Sequence, residues 1–253
     1  MIQTSPTPQT LRLYYYTGKQ WGLKALWEKR LKVARYPDVN DPFQLLPFDR
    51  RDKRLRAQLQ ARVDQLLSGP HGILCFSEDW RSILMWAQYG EKHTGLCLGF
   101  DVVRELAEPV VYIDTPLREP ALDRTQVLRG MSDAVFEAAL RCKYSGWRHE
   151  REWRLRVRLT EATDDLHYKE FDDSLHLREV IIGPRCNLLP ADVVEAVSSP
   201  PLDVDIFKAT ASLDSFEIRR HEEVAAHTAQ GFRAALARAR DVFADELPEE
   251  DGV

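Results

Sequence analysis

Apolar and polar positions along the chain alternate with two different periods, and those periods predict the elements. Leu11–Thr17 (LRLYYYT) is aromatic and β-prone and stops at Gly18. Trp21, Leu23, Leu26, Trp27 and Leu31 then recur at helical spacing, which predicts a helix over Trp21–Arg30. A short strand at Leu31–Ala34 leads into the turn Pro37–Pro42. Arg51–Leu67 carries Leu55, Leu59, Val63 and Leu66 on one stripe, the mark of an amphipathic helix. Beyond the break Ser68–Gly72 come a strand at Ile73–Phe76, a helix at Arg81–His93 and a strand at Leu96–Phe100, with Gly95 as the helix stop. A short strand is expected at Val110–Ile113 and a long helix over Ala121–Cys142. Arg151–Leu159 and Leu177–Ile182 are the clearest strands. Val204–Ala209 and Ser215–Arg220 form a hairpin pair, and the tail from Glu222 reads as a helix with an acidic end. The pattern is α+β: a mixed, mainly antiparallel sheet core flanked by helices, with residues 1–10 a flexible lead-in, 11–221 one domain, and 222–253 a helical tail.

Composition narrows the class without changing it. Across 253 residues, 44% hydrophobic and 30% charged, the chain buries a full core. A net charge of −5 gives no global pull toward nucleic acid or anionic membrane. No apolar run nears the roughly 18–20 residues that span a bilayer, and the polar start MIQTSPTPQT lacks a signal-peptide core. Cys75, Cys97, Cys142 and Cys186 are scattered with no C-x-x-C pair, so free thiols in a reducing cytoplasm are expected and no metal is.

Three places could carry chemistry. On a strand at Arg151–Leu159, Trp153, Leu155, Val157 and Leu159 share one face, and Glu150, Glu152, Arg154, Arg156 and Arg158 the other. Glu150 and Glu152 would lie about 6.6 Å apart, placed for one to stabilise a cation and the other to orient a nucleophile. The same alternation is also what a sheet with one wet face displays. On the helix at Arg81–His93, Trp86, Tyr89 and His93 project together and could stack on a planar ring, or Trp86 and Tyr89 could be core. Ser77 could bond a ligand or cap that helix. In the turn, Asn40 and Asp41 could face a cleft with Phe43 as anchor, or serve the turn alone.

Taken in order, Asn40-Asp41-Pro42-Phe43, Cys75-Phe76-Ser77-Glu78, Met85-Trp86-Ala87-x-Tyr89, His93-x-Gly95-x-Cys97-x-Gly99-Phe100-Asp101 and Lys143-x-x-x-Trp147-x-x-Glu150-x-Glu152-x-Arg154 resemble a bacterial family catalogued as domain of unknown function 2971. That resemblance implies a fold and a site, with Lys143 and Arg154 among its ligand-binding residues, and no settled activity. The chain also resembles ADP-ribosyltransferase-like folds, through an aromatic strand, a helix, a strand–helix–strand unit and a strand bearing Glu-x-Glu. This second resemblance implies NAD as substrate and Glu152 supporting an oxocarbenium-like transition state. It implies Glu150 serving a protein or nucleic-acid acceptor, Tyr14, Tyr16 and Ser77 on the nicotinamide side, and a toxin or phage-defence role. The alternative is a non-catalytic module binding a nucleotide-like molecule or a partner on the same scaffold.

Overall fold

The computed structural model describes residues 9–41, 43, 47–117, 133–159, 161–163, 165–197, 204–222 and 227–228. The fold is α+β, with a mixed, mostly antiparallel sheet and helices, as the periodicities require. Within the stretch expected as one domain the chain groups into two compact units. The first holds the described residues of Met1–Tyr15, Lys29–Met85 and Phe100–His176, and the second those of Tyr16–Glu28, Trp86–Gly99 and Leu177–Val253.

In the first unit the sheet order is β4 (Leu96–Val103), β1 (Thr10–Thr17), β3 (His71–Ser77), β8 (Glu152–Arg158) and β5 (Ala107–Pro109). β3 and β4, consecutive in the sequence, are therefore separated by β1. The β3–β8 pairing is antiparallel and runs from His71 opposite Arg158 to Ser77 opposite Glu152. Tyr15, Phe76 and Phe100 pack edge to face on it, at ring separations of 6.0 and 6.1 Å. A smaller antiparallel pair, β2 (Arg30–Val33) with β9 (His167–Glu170), joins β3 by a bridge between Ala34 and Ile73. A parallel pair, β6 (Val111–Ile113) with β7 (Cys142–Tyr144), sets Tyr112 opposite Lys143.

Helix α2 (Lys53–Leu67) forms where its stripe predicts. Asp52 caps it, Oδ1 accepting the Leu55 N–H at 3.0 Å. Leu55, Leu59 and Val63 are buried against Phe48 and against Phe136, Ala139 and Leu140 of α4 (Asp133–Leu140). Of the helix expected over Ala121–Cys142, residues 118–132 lie outside the described residues. Its far end is corrected: Cys142 begins β7.

In the second unit, β4 adjoins β10 (Leu175–Ile182), which pairs in parallel with β11 (Asp205–Ala211); β12 (Ile218–Arg220) returns antiparallel as the expected hairpin. β13 (His227–Thr228) also pairs antiparallel with β11, so two residues of the expected tail helix are strand. The remainder of that tail lies outside the described residues. On α1 (Lys19–Glu28) it is Gly22 and Leu26 that are buried, while Trp21 and Trp27 are exposed. A side chain at position 22 would meet Leu96 Cδ1 at 2.8 Å, so close approach on the glycine side turns the tryptophans outward. The helix expected over Arg81–His93 is shorter. α3 covers Ile83–Gln88, with Ser82 accepting the Met85 N–H at 3.3 Å. Glu91, Lys92 and His93 then lie in the left-handed region, at φ of 50°, 54° and 73°. Backbone bonds hold this turn, His93 N–H to Trp86 O at 3.1 Å and Arg185 N–H to His93 O at 3.0 Å. α5 (Pro190–Ala196) contacts both α1 and β11.

Candidate functional site

The site grows from the start of β8, in the first unit. Ser145–Glu150 forms a 3-10 helix that ends in Arg151 with φ 44° and ψ 51°, a left-handed conformation that is costly for a branched-off side chain. The turn delivers Glu150 beside Glu152, and both carboxylates accept hydrogen bonds from Lys143 of β7. The bond from Lys143 to Glu152 Oε2 is 2.9 Å. Arg154 grips Glu152 with two nitrogens, Nε on Oε1 at 2.7 Å and Nη2 on Oε2 at 3.2 Å. Its third donor, Nη1, bonds the Leu140 carbonyl at the end of α4 at 2.5 Å, where the helix dipole favours a cation. Two cations and two carboxylates thus form a neutral, buried quartet. Glu152 is only 5% exposed.

This corrects the picture of a wet strand face. Arg156 and Arg158 are exposed, but Glu152 and Arg154 on that same face are buried beneath β7 and α4. Burial pushes the Glu152 carboxyl up, yet Arg154 and Lys143 outweigh it and hold it at about 2. Burial alone would lower Lys143 and Arg154; the facing glutamates raise both instead. Tyr112, whose hydroxyl accepts the Glu152 N–H at 2.9 Å, is pushed up to about 12 by burial and by the two glutamates. Cys75 is opposite Arg154 in the ladder, and burial, then the charge of Glu152, raises its thiol strongly. Lys143 also lies 5.0 Å from the centre of the Trp147 ring.

Strand register adds a second relation. Tyr14 is opposite Ser77, and Ser77 is opposite Glu152, so the three lie in one row across β1, β3 and β8. Directly opposed residues share a face. The Ser77 hydroxyl accepts the Asp79 N–H at 3.3 Å, and the helix cap falls to Ser82 instead.

Asp41 plays the turn role and is buried at 3% exposure; its Oδ1 accepts the Phe43 N–H at 2.9 Å, while its Oδ2 has no hydrogen-bond partner among the described residues. Asn40 is exposed. Phe43 lines a cleft of about 630 Å³ together with Phe48, Arg50, Asp114, Lys143 and Tyr144. That volume suits a small organic ligand. Lys143 therefore belongs both to the buried quartet and to the wall of this cleft.

The remaining candidates sit in the second unit. Trp86 is fully buried, 5.2 Å from Tyr16 in an edge-to-face contact, and its ring lies where side chains on Gly90 or Gly183 would clash. It is core, and offers no open ring face. The shared helical face of Trp86, Tyr89 and His93 is also corrected, because α3 ends at Gln88. Tyr89 and His93 are half-buried; burial and Arg185 lower the His93 imidazole.

Periodicity gave no sign of Cys75, Tyr112 or Arg50. Cys75 stood in the motif Cys75-Phe76-Ser77-Glu78, but its place beside Arg154 follows only from the β3–β8 register, and that of Tyr112 only from the pairing of β6 with β7. A search of family models, curated proteins and solved structures returns no match to this chain. Among the described residues no group of His, Cys, Asp and Glu side chains is placed to hold a metal ion, and no helix is long and apolar enough to cross a membrane.

Proposed function

We propose that the protein is a binding module for a nucleotide-like small molecule, held in the cleft beside Lys143. One observation carries this reading. A carboxylate has about four acceptor positions, and on Glu152 three of them are taken by Arg154 Nε, Arg154 Nη2 and Lys143. A Glu152 so occupied is an anchor for its neighbours rather than a group offered to substrate. Lys143, which it anchors, faces a space that a ligand fits. The experiment is a thermal-shift series with NAD, nucleoside phosphates and nucleosides on the full chain. Stabilisation by a nucleotide that is recovered chemically unchanged is expected. The absence of any shift across the series would remove the reading.

A second reading, ADP-ribosyl transfer from NAD, is favoured by the row Tyr14–Ser77–Glu152. In that reaction the ribose–nicotinamide bond breaks, nicotinamide leaves with its electron pair, and an acceptor nucleophile bonds the ribose carbon. Glu152, ionised down to about pH 2, would carry the charge that stabilises the oxocarbenium. Nicotinamide release that disappears in Glu152→Gln, in a variant that remains folded, would establish this reading over the first.

A further inference from the structure

We infer that the cleft selects a ligand in which a flat aromatic ring is joined to a single anionic group, with Phe43 as the ring platform and Arg50 as the anion receptor. The inference rests on the binding reading above and gives it a chemical class, of which a nucleoside monophosphate is the simplest member.

The cations of the cleft wall are not equivalent. Arg51 is paired with Asp49, its Nε lying 2.9 and 3.0 Å from the two carboxylate oxygens. Lys143 is committed to Glu150 and Glu152. Arg50 makes no ion pair among the described residues. Its guanidinium carbon lies 5.8 Å from the centre of the Phe43 ring. An unneutralised guanidinium beside an aromatic ring is a receptor for a planar anion: the ligand's ring lies on Phe43 and its phosphate on the fork of Arg50.

Phe43 is fit for the platform. It is 55% exposed, and its own N–H bonds the buried Asp41 carboxylate. An aromatic side chain whose backbone is already bonded has less freedom to lose when a ring stacks on it.

Charge sets the number of phosphates. Arg50, Arg51 and Lys143 line the cleft against Asp49 and Asp114, and the buried Glu150, Glu152 and Arg154 behind Lys143 bring the total to four cations and four carboxylates. The wall together with the buried groups behind it is thus neutral before a ligand arrives, and a triphosphate would find no large excess of positive charge. Asp114 is exposed and unpaired among the described residues, which supplies an acceptor for a sugar hydroxyl or amino group and opposes a polyanion.

The test is calorimetric titration of the full chain with AMP, UMP, ATP, NAD, adenosine and ribose 5-phosphate. A monophosphate should bind at least tenfold tighter than adenosine or ribose 5-phosphate, and ATP no tighter than AMP. Arg50→Gln should bring AMP down to the affinity of adenosine without changing adenosine itself. Phe43→Ala should bring it toward ribose 5-phosphate. Phe43 is exposed and Arg50 half-buried, and melting curves of the variants check that they fold. If NAD or a monophosphate binds equally well to wild type and both variants, the assignment of Phe43 and Arg50 is overturned while the binding reading stands. ATP binding tighter than AMP overturns the requirement for a single anionic group. If no nucleotide binds at all, the binding reading falls and this inference with it.

Discussion

Replacing Glu152 by Gln keeps the volume of the side chain and removes its charge from a site that is 5% exposed. Arg154 and Lys143 would then face an amide that offers them one acceptor oxygen and two competing donors, with Glu150 left as the sole carboxylate for two buried cations. The magnitude follows from the carboxyl itself, held at about 2 against an ordinary 4.5. At 1.36 kcal/mol per unit that difference is worth on the order of 3 kcal/mol. Loss of one member of a buried ion pair has a similar cost, about 3–5 kcal/mol. The folded-state value is depressed, so the stabilisation is fully present above the unfolded value of about 4.5 and is lost as pH falls through about 2. Urea denaturation of wild type and variant at a series of pH values measures it. The gap in unfolding free energy should be about 3 kcal/mol at pH 7 and shrink progressively below pH 4.5. A gap under ~1 kcal/mol at neutral pH would place Glu152 among ordinary exposed charges and refute the reasoning.

Other perturbations test the rest of the structure. Gly95→Ala sets a Cβ 2.1 Å from the Thr17 carbonyl oxygen, where backbone has nowhere to go, and should cost about 3 kcal/mol or more in a thermal or urea melt. Trp86→Ala should cost about 3–5 kcal/mol, whereas Trp27→Ala, 68% exposed on α1, should stay within about 0.5 kcal/mol; equal costs would contradict the burial described. Because burial and the Glu152 carboxylate raise the Cys75 thiol, Cys75 should resist iodoacetamide at pH 8 in the native protein and react once unfolded, as followed by mass spectrometry of its peptide.

What could be read in advance divides along physical lines. Helix α2 was legible because its stripe faces a single apolar surface, and period and burial coincide there. The alternation of β8 was equally plain, but it cannot say which face is wet. That depended on Lys143 and the Leu140 carbonyl, brought over the strand by β7 and α4. The end of α3 was missed because Glu91, Lys92 and His93 have no strong local reason to be left-handed. Backbone bonds to Trp86 and Arg185 hold them there. His227 and Thr228 fit a helical pattern, and pairing with β11 overrides it. The Glu-x-Glu pair was visible from spacing alone. That its second member is gripped by Arg154, two residues on, required three-dimensional distances.

The neutrality of the quartet has an evolutionary consequence. Lys143, Glu150, Glu152 and Arg154 balance only as a set, so any single charge-changing substitution leaves an uncompensated ion in the interior. Drift at these four positions must pass through an unstable intermediate, which ties them together as one heritable character. Phe43 and Arg50 on the cleft wall lie outside that constraint and can be exchanged one at a time, so in descendants of this chain ligand preference can diverge while the charged foundation beneath it stays fixed.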